Sequence, residues 1–521
     1  MPSINRFCPP SWGIPPGHWV PHCYTGWNGQ RDRPLPEPCI RKIYRDWKTR
    51  MLSGNTMKTS YHTGHRLTAA IYLSIMISAI GGIIFGYDTG IIGGAVTFIG
   101  QQFAISSVMQ GVIVSASLLG GMLGALAAGP LADRYGRRGI LCLSGLFFAA
   151  GALASALTSD VSILIGARIL LGSGVGASSV LIPVYIAELA PARIRGALVT
   201  SYQLLITVGI LLAYGVNSLA EPLAEWRIPL TIAALFGLML AVGVLFVAES
   251  PRWLIAMRRE AAARRALQRL RGVEEVGHEL RDIAALDASE REVVGWRELL
   301  AGPVRPMLII GMLIAFFSNA CGINLVIYFA PQILQLSGFD SAAAWLATIG
   351  LGVVNVLFTV VGMLLVDRLG RRPLLLAGAV GLTLSMLVLA VLFSVPPFPY
   401  SHWLAFFSLV FYIVMYAVSP GILGFLIISE ISPLRARAKV TSLSIFIIFA
   451  TNLVIALVSL PMLAELGAAV TFWIFTAICA GFVVFSAFVP ETKGKSLEEV
   501  ERYFRERYDQ KQRTLRAGRA L

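Results

Sequence analysis

Two charged residues stand inside apolar runs, where a charge needs a reason. Asp88 lies deep in the first run, about 68–92, and Arg168 lies in the fourth, about 161–187. A carboxylate at the centre of a bilayer costs about 2.5–3.5 kcal/mol on insertion scales, so it needs a partner or a proton. If successive runs cross a membrane in alternating directions, the first reaches Asp88 after about 20 residues and the fourth reaches Arg168 after about seven, which puts both at similar depth. Paired, each neutralises the other. When Asp88 takes a proton the pair breaks and Arg168 is freed. That is the chemistry of a proton switch; the plain alternative is a permanent structural ion pair. One charge crossing ~100 mV yields about 2.3 kcal/mol, which corresponds to a solute gradient of roughly 50-fold.

A second set of charges sits at the ends of apolar runs. Asp133, Arg134, Arg137 and Arg138, with Glu188, Arg195 and Glu249, stand in the first half, and Asp367, Arg371, Arg372, Glu430 and Arg437 stand in the second. Carboxylates and guanidiniums at opposing helix ends can form a bidentate network that must break when that side of the protein opens. Topology alone explains the arginines, which keep loops inside, but acids contribute little to that rule, and Glu188 and Glu430 recur at matched places.

A third set is polar and uncharged. Gln203, Asn324, Asn355 and Asn452 lie in mid-run, with Ser318, Asn319 and Tyr328 nearby. Amides donate and accept at once, as the hydroxyls of a sugar or polyol do. Ser318, Asn319 and Asn324 fall within two turns of one run. Gly322 and the adjacent Ser-Asn make it prone to unwinding, which exposes backbone to a ligand. For any single amide the plain alternative is a hydrogen bond between packed helices.

The elements that must hold these residues are repeated. Leu-Ala-Asp-Arg-Tyr-Gly-Arg-Arg at 131–138 returns as Leu-Val-Asp-Arg-Leu-Gly-Arg-Arg at 365–372, an offset of 234, and Glu188 to Arg195 matches Glu430 to Arg437, an offset of 242. Two parallel halves of about 230 residues around a central axis are a transporter architecture. Only 14% of the 521 residues are charged and 56% are hydrophobic, against about 25% charged in a soluble domain. The apolar runs number about twelve, at 68–92, 107–131, 140–158, 161–187, 198–219, 227–248, 306–335, 344–366, 373–394, 402–429, 439–460 and 467–489. Each is near the ~20 residues that a bilayer requires. The expected fold is therefore an all-α membrane protein in two six-helix bundles.

Arginine gathers in the loops at 132–139, 190–197, 249–305, 367–373 and 431–439, while the alternate loops hold only Arg227. The basic loops are then cytoplasmic, and an even number of spans puts both termini inside. The same bias accounts for the net charge of +14 without nucleic acid as a partner. Residues 249–305 mix both signs and carry apolar residues at helical spacing, such as Leu267 with Leu270 and Leu280 with Ile283, so they read as short amphipathic helices linking the halves. Residues 1–67 have no apolar run. They read as an extension upstream of a start at Met51 or Met57, or as a disordered tail. Residues 490–521 form a short polar tail. The six cysteines show no spacing for a disulfide framework or a metal site.

With these motifs assembled, the chain resembles the sugar porter family of the major facilitator superfamily. The resemblance runs from about Tyr87 to Glu499. It rests on Gly86-Tyr87-Asp88-Thr89-Gly90, the two Asp-Arg-x-Gly-Arg-Arg loops, the stretch from Pro183 through Glu188 to Gly196, Glu249-Ser250-Pro251-Arg252-Trp253-Leu254, Gly322-Ile323-Asn324, and Pro490-Glu491-Thr492-Lys493-Gly494. It implies the major facilitator fold, two pseudo-symmetric bundles working by alternating access, and a monosaccharide-like substrate between them. Asp88 and Arg168 match the coupling pair of the family's proton symporters. Gln203, Asn324, Tyr328 and Asn355 match its sugar-contacting positions. Three departures stand out. The usual Gln-Gln before Gly-Ile-Asn reads Ser318-Asn319, the usual Trp of the tenth span is Phe425, and the Gly before that span's Pro-Gly is Ser419. Shorter side chains widen the pocket, and Phe lacks the indole donor.

The sequence thus predicts a transporter importing a sugar-like solute with a proton as coupling ion, with no other cofactor and no metal. Its surroundings are the lipid bilayer, its composition leans towards a bacterial inner membrane, and nothing requires oligomerisation. A facilitator whose Asp88 and Arg168 only hold helices together is the nearest alternative. A transporter-like nutrient receptor would need a longer signalling tail. A channel suits the twofold repeat less well. No nucleophile–base pair, phosphate loop or metal spacing points to an enzyme.

Overall fold

A computed structural model describes residues 68–190, 195–223, 225–272, 276–290, 304–432 and 437–494, with five further positions between 499 and 506. The expected tail at 1–67 and residues 507–521 lie outside the described residues, as do the side chains of Arg195 and Arg437. The described residues are helical, without strands.

The first half contains α1 (Ala69–Gln102), α2 (Ser107–Tyr135), α3 (Arg137–Leu157), α4 (Val161–Leu189), α5 (Arg195–Ala220) and α6 (Arg227–Gly243). Three short helices follow, α7 (Pro251–Ala256), α8 (Glu260–Arg271) and α9 (Gly277–Glu290). The second half contains α10 (Val304–Ala320) and α11 (Ile323–Leu336), α12 (Ser341–Leu369), α13 (Arg371–Ser394), α14 (Ser401–Val418) and α15 (Pro420–Ile431), α16 (Arg437–Pro461) and α17 (Gly467–Phe488). Among the described residues, eleven continuous apolar helical stretches are long enough to cross a membrane, and the last, Lys439–Phe488, runs for 50 residues. At 1.5 Å per residue that is about 75 Å, more than twice a hydrocarbon core of ~30 Å. The stretch breaks at Gly467 into α16 and α17, which gives the expected twelve spans.

Short polar residues start several helices. Asp160 accepts from the N–H groups of Ser162 and Ile163, and Asp340 accepts from that of Ala343. Each satisfies donors that the first turn of a helix leaves free. Small residues then set how closely spans approach. A Cβ on Gly172 of α4 would lie 1.9 Å from the Ser117 carbonyl oxygen of α2, so only glycine lets these backbones touch.

Within the first half, α2 packs on α4 and α1 on α5; within the second, α13 packs on α17 and α10 on α16. The halves meet through two equivalent pairings, α2 with α16 and α5 with α12, and through α1 with α11. The short helices belong to the first half's arginine-bearing end. Leu267 and Leu270 are buried there, Thr68 donates to the Leu270 carbonyl at 2.6 Å, and Arg271 donates to the Leu189 carbonyl at 2.9 Å.

Candidate functional site

The first span packs against the fourth and fifth, and this burial encloses Asp88. Arg168 is 1% exposed, and its Nη1 donates to Asp88 Oδ1 at 2.7 Å. Nη2 donates to Ser117 Oγ at 3.1 Å, a contact that the close α2–α4 approach makes possible. Arg168 Nε is buried without a partner. The expected pairing of depths is therefore found as a direct ion pair. Its one loose donor leaves the guanidinium incompletely held.

Beside this pair, a cavity lies between the halves. Gln203, Ser318, Asn319, Asn324, Asn355, Phe425 and Asn452 line it, as the sequence suggested. Tyr328 does not. It is buried on α11, and a Cβ on Gly93 of α1 would meet its backbone oxygen at 2.0 Å, so Tyr328 closes the space between α1 and α11 beyond the cavity. Sequence reasoning passed over Phe85, Thr89, Thr207, Thr359 and Tyr416, which also line the cavity. Thr89 had a signal, since it directly follows Asp88. Tyr416 had another, since it precedes the Pro-Gly of the tenth span.

The polar walls differ in what they leave open. Ser318 Oγ and Asn452 Oδ1 are buried with no partner. Asn319 spends its amide nitrogen on the Ala315 carbonyl of its own helix at 2.8 Å. Thr89 and Thr359 also bond back into their own helices. A buried polar atom left unpaired costs free energy, and a ligand hydroxyl removes that cost.

Two broken helices form much of the second half's share of the wall, beside α12 and α16. The seventh span breaks at Gly322, whose φ of +97° a residue with a Cβ rarely adopts. The freed Cys321 carbonyl accepts from Tyr412 Oη at 3.1 Å and Cys479 Sγ at 3.4 Å. The tenth span breaks at Ser419, before Pro420. Ser419 Oγ donates to the Leu374 carbonyl at 2.8 Å, so this residue anchors the break on α13 and does not line the pocket.

The charges at the arginine-bearing end form two matching clusters. Arg137 meets Asp133 at 3.0 Å and Glu188 at 3.3 Å. Arg371 meets Asp367 at 3.3 Å and Glu430 at 2.9 Å, and Thr492 Oγ1 donates to Glu430 at 2.5 Å. Glu249 accepts the backbone N–H groups of Arg137 and Arg138 at 3.1 and 3.2 Å, and Glu491 accepts those of Arg371 and Arg372 at 3.0 Å each. Arg138 and Arg372 donate to the carbonyls of Leu245 and Ala487. Each of these contacts joins helices of one half. The clusters brace each bundle in this state, in which the arginine-bearing side is the accessible one. Arg134 stacks on Tyr135 and belongs to neither cluster. Burial raises the Glu249 carboxyl above its ordinary value. Burial acts the same way on Glu491, but the N–H groups of Lys493, Arg371 and Arg372 outweigh it and hold that carboxyl below its ordinary value.

At the other end the halves touch. Gly93 meets Tyr328, Gly94 meets Trp345 and Gly111 meets the Leu457 backbone. Ser341 Oγ donates to Glu221 at 2.8 Å. Phe425, on the helix that runs towards the arginine-bearing end, is 46% exposed. The cavity is thus closed on one side and accessible from the arginine-bearing side.

A family model described as "Sugar (and other) transporter" matches residues 74–504. CsbC, a probable metabolite transport protein of Bacillus subtilis strain 168, is 39% identical over 445 residues, covering 85% of this chain and 96% of its own length. The glucose transporter GlcP of Staphylococcus epidermidis is 36% identical over 438 residues, covering 84% and 98%. The xylose transporter XylE from E. coli, in a partially occluded inward-open conformation, is similar with a TM-score of 0.72 at 28% identity, over 82% of this chain and 100% of that one. The same protein, described as a proton:xylose symporter and bound to 6-bromo-6-deoxy-D-glucose, gives a TM-score of 0.70 at 30% identity, over 84% and 100%.

Proposed function

The chain belongs to the sugar transporter family of the major facilitator superfamily, and on that premise we propose that it imports a monosaccharide or sugar-like solute together with a proton by alternating access. It is a multi-pass membrane protein with the major facilitator fold. The observation that carries the coupling is the buried Asp88–Arg168 pair beside a polar cavity, with Thr89 reaching from the same turn into the cavity wall. A proton on Asp88 removes the charge that holds Arg168, and α1 and α4 are then free to move relative to each other. The relatives named as a glucose transporter and a proton:xylose symporter support a sugar as substrate.

The arginine-bearing end faces the cytoplasm, in keeping with the positive-inside bias, and both termini lie inside. The structure then corresponds to an inward-facing state. Gln203, Ser318, Asn319, Asn324, Asn355 and Asn452 supply donors and acceptors to the solute, and Phe425 supplies an apolar face. The proton is the coupling ion, and no metal or organic cofactor takes part.

The test is solute-driven alkalinisation in lightly buffered, de-energised cells, across pentoses, hexoses, polyols and sugar acids. One solute should cause transient alkalinisation, and Asp88→Asn should abolish it. Labelled uptake with no pH change, unaltered in Asp88→Asn, would leave a facilitator.

A further inference from the structure

The contact between α1 and α11 contains a polar clasp that the cavity and the ion pair do not use. Gln332 lies on α11, one turn beyond Tyr328. Its Nε2 donates to the Gly93 carbonyl of α1 at 3.1 Å and to Thr97 Oγ1 at 2.7 Å. The Gly93 oxygen can only accept, so the amide nitrogen must be the atom that faces it. A second bond crosses between the halves nearby. Tyr214 Oη of α5 donates to the Ile327 carbonyl of α11 at 2.8 Å. That carbonyl's helical partner four residues on would be Pro331, which has no N–H. At Phe329 the backbone leaves helical geometry, with φ of −119° and ψ of 19°, so α11 kinks there.

These contacts differ in kind from those beside them. Asn217 Nδ2 reaches the Gly90 and Ile91 carbonyls at 3.1 and 3.2 Å, but it joins α5 to α1 within one half. Gln332 and Tyr214 join one half to the other, at the end of the molecule where the cavity is closed. Gln332 also leaves its own Oε1 buried without a partner. That unsatisfied acceptor offsets part of what the two donated bonds contribute, so the clasp holds without being permanent.

We propose that Gln332 is the positioning residue that closes the outer side of this transporter, clasping α1 at Gly93 and Thr97 while Tyr214 takes the carbonyl freed by Pro331. The clasp forms in the inward-facing state and opens once in every cycle. This rests on the alternating-access reading and deepens it. It does not depend on which solute is carried or on proton coupling.

The experiment uses the full chain in proteoliposomes, spin-labelled at Gln101→Cys and Leu336→Cys, exposed positions near the outer ends of α1 and α11. Electron–electron double resonance then reads their separation. Chain lacking the two introduced cysteines serves as the blank. Otherwise-native labelled protein should show a dominant short separation and a minor long one, whose ratio responds to pH or to added sugars. Gln332→Leu keeps the bulk and drops the donor, so it should shift the ratio roughly tenfold towards the long separation. Tyr214→Phe should move it the same way by less. Gln332→Glu should favour the short separation at low pH, where the acid can donate, and the long one at neutral pH, where a carboxylate faces the Gly93 carbonyl. A merely structural glutamine would not give that pH profile.

If the native ratio responds to pH or sugars while Gln332→Leu and Tyr214→Phe leave it as in native protein, the clasp is refuted and alternating access stands. If the native protein never leaves one separation under any condition, alternating access itself fails, and the clasp falls with it.

Discussion

At the scale of single residues, the cavity separates side chains that await a ligand from those already engaged. Asn452 Oδ1 and Ser318 Oγ have no protein partner, whereas the Asn319 amide nitrogen is committed to its own helix. Asn452→Leu should therefore raise the KM for the transported solute about tenfold, the equivalent of one hydrogen bond at 1.4 kcal/mol, with little change in thermal stability. Labelled uptake in vesicles, alongside a melting curve, checks both halves of that statement. An unchanged KM would remove Asn452 from the site. Much of this was legible beforehand, because amides in apolar runs are few and each needs a partner. Tyr328 was not. Nothing in the one-dimensional pattern shows which way α11 turns; with the kink at Phe329 and the glycine at 93, the Tyr328 backbone lies against α1 and Tyr328 is not part of the cavity wall.

At the scale of elements, the duplicated loops have become two braces of unequal electrostatics. Glu249 and Glu491 do the same geometric work, each accepting two consecutive backbone N–H groups at the start of a span. Their carboxyls are nevertheless pushed in opposite directions from 4.5, Glu249 upwards and Glu491 downwards. A lowered folded value means that the stability from Glu491 is complete above 4.5 and is lost as pH falls through the folded value. A raised value means that ionising Glu249 works against the fold, so its contribution is complete below 4.5 and is lost as pH rises through the folded value. At neutral pH, Glu249→Gln should leave the melting temperature unchanged or raise it, since the acceptor stays and the buried charge goes. Glu491→Gln should lower it. Tryptophan-fluorescence melts of the detergent-purified protein at pH 5 and pH 7 distinguish the two, and equal losses would contradict the contrast. The sequence showed the repeat but not this asymmetry, because it arises from how deeply each loop is buried. The broken seventh span was legible from Gly322 beside Ser-Asn. The break in the tenth could have been read from Pro420, which cannot donate into the preceding turn.

At the scale of the whole molecule, the two halves make a set of close contacts at the end opposite the arginine loops. The twelve spans and the two bundles were legible from hydrophobic runs and from the recurring arginine loops. The state of the molecule was not, because alternating access requires one sequence to support two arrangements of nearly equal free energy. What selects this arrangement is packing between distant segments, in Gly93 against Tyr328, Gly111 against Leu457 and the Ser341–Glu221 hydrogen bond. Phe425 shows the consequence. It lines the cavity and is nearly half exposed, on a helix that leads to the arginine-bearing end. A cysteine at that place should react with a membrane-impermeant maleimide quickly in inverted vesicles and slowly in right-side-out vesicles, by at least about tenfold if the inward-facing state dominates by 1.4 kcal/mol. Native protein is the control that subtracts labelling of its own six cysteines, of which Cys321 and Cys479 are buried and Cys142 is half-buried. Gly93→Ala should reverse the preference. Its methyl would meet the Tyr328 backbone oxygen at 2.0 Å when the outer side is closed, a contact that backbone cannot yield to cheaply, so the outward-facing arrangement becomes the less strained one. Equal labelling of Phe425→Cys from both sides, before and after Gly93→Ala, would mean that the cavity is a continuous pore and that the end contacts do not gate it.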